Sequence, residues 1–592
     1  MRSFFCSFPF VSVWCALAVF VASCFPVTAT HAAEFKPFLT LKIAGPGTIV
    51  NLAEKISGIA DPSGTLGVKA MLAPYKNLPG VNTGGTIGLA LQVNENSPLG
   101  VDLVAALPIA NLETFSIPGQ EMTVGLLKSM LQKEGSYSMI SSPFGEFVAY
   151  QKTGYFVMAT MEVAAVAQAA DPKAMFANLD KFTLGAIVDL ENISLENVES
   201  ILGSLSFMLA TQGMETNPDA LLEQLSGYFE EFSSMTFGAT MDERTLTLTG
   251  SMQTVPKKGS ETAEKLLKVK NAKTMFSGFL HDTPKTVFSW STLDYWTDRE
   301  HAGIAEALQL TGESFLEGLR DTDEDHGERF VRFAEIVLEW LQENVEFLCE
   351  QKSVDAAMAL DSDGTFLYAQ ATGKPELATK IGDDLYYALP ELFEEGQAWQ
   401  THLNSKMRQN YETVEGFSLS CLSNLFTELP PGVVVPRALR DWPVSLLWAT
   451  KEGEAVAVAV GLDFARTERT LKAALDKTKT PTPPKQTGVF ALKPLGEFLM
   501  KHILPIAEKS GMLTKDNLED AKEILAVLAS AESSAKIVVT TEFPGEAQLQ
   551  KYQMDGKCLN VFLKMMAKQA ELGAKRAVRE SLRQQQETIG DF

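Results

Sequence analysis

The sequence predicts an α+β protein built as two tandem, duplicated halves, residues 34–272 and 273–592, each of antiparallel hairpin units covered by helices. Three observations predict it. Short apolar strands come in pairs around Gly-containing turns, which marks hairpins and hence antiparallel pairing. Stretches with helical apolar spacing alternate with these pairs. The order of elements also recurs at a fixed offset: Lys152-Thr153-Gly154 has its counterpart in Lys451-Glu452-Gly453, 299 residues later.

Residues 1–33 stand apart. Arg2 is followed by an uncharged apolar run from Phe10 to Ala22. A span of about 13 residues is too short for a transmembrane helix but suits the core of a signal peptide. Small residues place cleavage after Ala32 or Ala33. A second reading uses Val21-Ala22-Ser23-Cys24, which resembles a bacterial lipoprotein cleavage box with Val21 in place of the usual Leu. Cys24 would then carry the lipid anchor. No later stretch has the 18 apolar residues of a membrane span.

In the first half, Leu39–Ile43 reads as a strand. Ile49, Leu52, Ala53 and Ile56 then form one helical face. Residues 85–107 alternate as a hairpin, with Ile87, Leu89, Leu91 and Val93 answered by Val101, Leu103, Ala105 and Leu107. Phe147–Tyr150 and Tyr155–Met158 flank the turn at Lys152-Thr153-Gly154, and an Ala-rich helix follows from Met161 to Ala169. Gly185–Val188 reads as a buried strand. Residues 236–255 read as a hairpin with Leu246 and Leu248 on one face.

The second half repeats this layout. Residues 286–290 give a strand, 329–349 a long helix, and 353–371 a hairpin turning at Asp361-Ser362-Asp363-Gly364. Ser445–Trp448 and Ala455–Val458 form the next hairpin, followed by a helix from Thr467 to Ala474. A Pro-rich linker near 478–485 leads to the strand Gly488–Ala491. Residues 536–554 form a hairpin turning at Pro544-Gly545, and Leu559–Arg583 a C-terminal helix. Each half thus holds two modules, and the helices are expected on one face of each sheet.

Composition sets limits on function. The chain has 592 residues, 45% of them hydrophobic and 21% charged, as a globular protein does. Its net charge of −23 argues against nucleic acid, whose phosphates need a basic face. Three of its six cysteines fall in the first 33 residues. Cys349, Cys421 and Cys558 remain, widely spaced and in no Cys-x-x-Cys pair, so neither a redox motif nor a cysteine-rich zinc site is expected.

Several constellations approach known chemistry and depart from it. Asp321, Asp323 and Asp325 are spaced like the start of a calcium loop, but His326 stands where the turn needs Gly, and Arg332 where it needs a bidentate Glu. They read as an acidic loop ahead of a helix. Ser533-x-x-Lys536 and Lys152-Thr153-Gly154 occur in the reverse of the order that penicillin-binding enzymes use. The histidines His281, His301, His326, His402 and His502 have no ligand spacing. The apolar stripe Phe330, Phe333, Val337, Leu341, Val345 and Leu348 reads as a core-facing helix, or alternatively as the wall of a lipid groove. Met158, Met161, Met208 and Met214 read as core filler, or as the lining of an adaptable cavity. No catalytic, cofactor-binding or metal residue is assigned.

The strand, Gly/Pro turn and helix from Leu41 to Ile56, with the alternating hairpins and helices after it, resembles large secreted bacterial proteins of unknown function built from repeated α/β modules. The resemblance implies an envelope location, periplasmic or extracellular, and no activity. The leading expectation is a non-enzymatic envelope protein that binds or scaffolds a partner. A carrier of lipid or another apolar ligand is one alternative. A hydrolase with its site at the junction of the halves is another.

Overall fold

A computed structural model describes residues 35–590 apart from 61–69, 71, 95–99, 118–123, 126–127, 130, 135–136, 143–144, 200–225, 275, 277–282, 297–302, 304–308, 311, 315, 318–323, 372–373, 389–402, 427–444, 452–454, 462, 477–485 and 510–514. The expected signal segment, Cys24, Met208, Met214 and the linker 478–485 lie outside the described residues. The chain divides into two compact units, residues 264–543 and the remainder. The expected second half ran on to 592. Instead, the strand Gln548–Met554 and the helix Gly556–Gly590 belong with the first unit, because that strand pairs in register with residues 248–254.

The first unit is a wide antiparallel sheet. Its strands are β1 (Leu39–Ile43), β2 (Ile87–Val93), β3 (Val101–Leu107), β4 (Leu131–Glu134), β5 (Tyr137–Ser142), β6 (Gly145–Lys152), β7 (Tyr155–Thr160), β8 (Leu184–Asp189), β9 (Phe232–Met241) and β10 (Leu248–Pro256). They lie in the order β4-β5-β6-β7-β3-β2-β1-β8-β9-β10. The two expected modules of this half are therefore not separate, since β1 pairs with both β2 and β8. Helix α1 (Pro46–Ala60) follows β1, and α2 (Ala164–Ala169) follows β7 after one 3-10 turn at Met161–Val163.

All seven residues of β3 are buried, so the sheet is covered on both faces rather than on one. Ala164 and Ala167 of α2, with Phe176, pack on Val104, Ala106 and Val157. On the opposite face Phe115 and Ile117, outside the named helices and strands, close over Leu103, Ala105, Phe147 and Met158. Continuous apolar runs are what two-sided burial demands. At the β6–β7 turn Thr153 and Gly154 both take positive φ, 48° and 81°, as a two-residue hairpin turn requires. Leu246 was expected on a strand face with Leu248. It instead sits in the turn before β10 with φ 56° and is buried.

A row of glycines crosses this sheet. Gly88 and Gly185 flank Lys42 in register, and Gly238 lies opposite Gly185. Directly opposed residues point to one face, so the row is a trench with a lysine in it. The segment 176–182 fills the trench. A Cβ on Gly88 would lie 2.1 Å from the Phe176 ring, and one on Gly238 2.1 Å from Phe182. Lys42 is buried, and its Nζ donates to the Leu179 carbonyl at 3.1 Å and to Asp180 Oδ1 at 2.9 Å. Gly88→Ala is expected to cost about 1–3 kcal/mol by overpacking. Chemical denaturation checks this, and an unchanged midpoint would contradict the close seating of Phe176.

Asp102 is the polar exception in β3. It accepts hydrogen bonds from Asn94 Nδ2 at 3.0 Å and Thr160 Oγ1 at 3.1 Å. Burial raises its carboxyl above the ordinary range despite those bonds, and Glu162 is raised by its own burial and by the Asp102 charge. A raised carboxyl stabilises the fold at low pH, and that contribution is lost as pH climbs through the folded-state value. Asp102→Asn should therefore raise Tm near neutral pH, with the gain vanishing on acidification. Thermal melts across pH check it, and a constant difference would refute it.

The second unit holds β11 (Thr286–Tyr295), β12 (Ser353–Asp361), β13 (Phe366–Ala371), β14 (Leu403–Val414), β15 (Phe417–Phe426), β16 (Ser445–Lys451), β17 (Ala455–Gly461), β18 (Gln486–Ala491) and β19 (Lys536–Glu542). Their order is β14-β15-β16-β17-β13-β12-β11-β18-β19, again all antiparallel. Helices α3 (Glu324–Gln351) and α4 (Pro375–Ala388) cover one face, with Ile336, Trp340 and Ile381 over Trp448 and Val458. Helix α5 (Phe464–Asp476) covers the other, with Leu471, Ala474 and Leu475 over Leu447 and Ala457. Of the expected apolar stripe on α3, Leu348 packs on Val354 and Ala356, and the side chains of Phe330, Phe333 and Val337 lie outside what the structure describes.

Candidate functional site

The hairpin between β12 and β13 turns on Asp361-Ser362-Asp363-Gly364, and its aspartates do different work. Asp361 Oδ1 accepts from the backbone N–H of Asp363 at 2.9 Å and of Thr365 at 3.1 Å, which fixes the turn. Ser362 N–H donates to the Lys285 carbonyl at 2.8 Å and ties the turn to the segment before β11. That segment is held by its own threonines, whose hydroxyls at 283 and 286 meet at 3.0 Å. Asp363 is largely buried, its side chain 15% exposed. Three cations from three other places in the sequence converge on it: Lys285 at 2.7 Å, Lys501 at 3.4 Å, and the guanidinium of Arg466 on α5. Burial alone pulls its carboxyl upward. The hydrogen bond from Lys285 and the Arg466 charge outweigh that pull and hold it below the usual carboxylate range.

Beside this turn lies a cleft of about 440 Å³, within the size range of small-molecule sites. Its apolar part is Ala359, Leu360, Leu367 and Ala473. Hydroxyls come from Thr283, Thr286, Thr365 and Thr470, and charges from Lys285, Asp361, Arg466 and Arg469. Arg466 and Arg469 share one side of α5 at i, i+3. Asp463 accepts from the Arg466 N–H at 2.9 Å at the start of that helix.

His502 sits behind the turn on a π-helical stretch, Leu499–Ile503, a geometry common near functional sites. Its ring lies 5.4 Å from that of Phe498, and its buried Nε2 makes no hydrogen bond among the described residues. Burial, then the neighbouring Lys501 charge, lowers its pKa against the opposing pull of Ser362, Asp363 and Asp361. A depressed histidine is neutral in the fold, so the unfolded chain takes the proton first. Stability should fall as pH drops through the ordinary histidine range near 6.5. His502→Gln should flatten that part of the pH–Tm curve, and an unaltered slope would refute the assignment.

The motifs read from sequence fall elsewhere. Lys152 Nζ donates to the carbonyls of Gln168, Ala169 and Ala170, where it closes the end of α2. Ser533 lies in a turn and Lys536 opens β19. Asp325, His326 and Gly327 are in the first turns of α3 rather than in a loop, which removes the expected acidic loop at those positions. Asp321 and Asp323 lie outside the described residues, as do His281, His301 and His402. Among the described residues no cluster of three metal-ligating side chains occurs. Cys421 and Cys558 are free and buried. Burial raises both thiols, that of Cys558 to about 11. Sequence reasoning named Asp361–Gly364 only as a turn, and passed over Lys285, Arg466, Arg469 and Lys501. The one local signal was the Arg466/Arg469 spacing at the start of a helix expected from Thr467 to Ala474, which begins at Phe464.

No family model matches the chain, and no curated protein or solved structure matches it.

Proposed function

We propose that this chain is an exported, non-enzymatic envelope protein that holds a small polar ligand in the cleft beside the Asp361–Gly364 turn. The observation that carries the reading is the lining of that cleft: four hydroxyls and three cations over an apolar floor, carried by the segment before β11, by β11 itself, by the β12–β13 turn and by α5. Asp361 is engaged by backbone N–H groups and Asp363 by Lys285 and Arg466, which leaves Arg469, exposed on the cleft side of α5, to orient a ligand. The signal-like pattern of residues 1–33 supports export, in free form or anchored through Cys24. Among the described residues no helix is long and apolar enough to cross a membrane.

The two halves are duplicates in this reading. Nine strands of each unit follow one pairing order, with β1–β9 answered in turn by β11–β19. That agreement, added to the offset of 299 residues between the two turns, supports descent from one ancestral half.

The test is a thermal-shift screen of the purified protein against low-mass polar fractions of its own envelope, in parallel with Ala473→Trp. Ala473 lines the cleft and is exposed, so the indole fills the cleft without entering the core. A fraction that raises the Tm of the natural protein and not of the variant is expected. Equal shifts in both proteins, or none in either, would remove the cleft as the binding site.

A further inference from the structure

We infer that the ligand of this cleft is an oxyanion carried on a hydroxylated body, such as a phosphorylated sugar or a sugar acid. The inference rests on the binding role proposed for the cleft and names its ligand class.

Charge comes first. Lys285, Arg466 and Lys501 pair with Asp363, and Arg469 lines the cleft with Asp361, so four cations stand with three carboxylates when Asp463 at the start of α5 is counted, on a chain whose net charge is −23. Charges elsewhere on the surface are screened beyond about 10 Å at ordinary ionic strength, so an approaching anion meets the local excess of positive charge. The geometry is that of a held pocket. Asp363 already occupies Lys285, Lys501 and Arg466 as an internal carboxylate, and so displays the group those cations accept. Arg469 lies one turn along α5 on the cleft side and is exposed. A guanidinium matches a carboxylate or phosphate with two parallel N–H donors.

The rest of the lining describes the body that carries the anion. Thr470 Oγ1 gives its proton to the Arg466 carbonyl at 2.9 Å, and Thr283 and Thr286 share one between their hydroxyls at 3.0 Å, so these oxygens face a ligand chiefly as acceptors, which suits the O–H donors of a hydroxylated body. Ala359 and Leu367, paired in register on the face that α5 covers, supply the apolar floor against which the CH face of a ring would pack.

Glucose 6-phosphate, glucuronate, inorganic phosphate and glucose are the probes, each titrated calorimetrically at low and high salt. Glucose 6-phosphate or glucuronate is expected to bind more tightly than glucose and inorganic phosphate, and to weaken as salt rises. Which of the two binds better identifies the source of the oxyanion. Arg469→Gln should weaken binding about tenfold or more, the loss of one charge-assisted contact. Asp363→Asn should tighten it, because the competing carboxylate is gone, whereas a purely structural role for Asp363 would weaken it. Glucose binding as well as the anions, or Arg469→Gln and salt having no effect, would overturn the ligand class. If none of the four probes binds at millimolar concentration, the class is likewise wrong. The cleft itself would still stand if an envelope fraction shifts the natural protein and not Ala473→Trp.

Discussion

Both units depend on a strand that comes first in the chain and ends in the middle of its sheet. Leu41 of β1 lies opposite Leu89 on one side and Ala186 on the other. Trp290 of β11 lies between Met358 and Gly488 in the same way. Each central strand thus waits for a partner from far along the sequence, and closing so long a loop costs conformational entropy. Burial of both faces offsets that cost. It also explains why the neighbouring strands are nearly continuous in Val, Leu and Ala, and why the sheet makes room for large covering side chains by lining a trench with glycine.

The cleft of the second unit follows from this construction. A hairpin next to a central strand brings its turn level with the segment that precedes that strand. Helix α5, leaving β17, then lies across the sheet with its arginines toward the same turn. Charged groups from distant positions meet there because the strands are in register. The resulting cluster holds its own carboxylate, and the hydroxyls of Thr283, Thr286 and Thr470 beside it are tied to the backbone by hydrogen bonds.

Much of the fold was legible in the sequence where local pattern decides it. The strand Leu39–Ile43 and the hairpin turns at Gly154 and at Asp361–Gly364 were readable because alternation and turn chemistry are local. The strands β4 and β14 were not. Leu131–Glu134 and Lys406–Thr413 carry too many polar side chains to alternate, as strands at the end of a sheet commonly do. Two-sided covering was misjudged because a fully buried strand and a half-buried one share their first few apolar positions. The cleft was illegible for a different reason. Lys285, Asp363, Arg466 and Lys501 are each unremarkable in their own segments, and only the strand order makes them neighbours.

The pairing of β10 with Gln548–Met554 sets an order on synthesis. The first unit has its own strands in place once residue 256 has emerged, yet one side of β10 lacks its partner until residue 548 arrives. At roughly 5–20 residues per second that interval is on the order of tens of seconds. Throughout it the nascent chain carries an open strand edge of the kind that pairs with foreign chains. The whole second unit is made within that window, so the last strand works as a seal, and a chain cut short before it would keep the open edge for its lifetime.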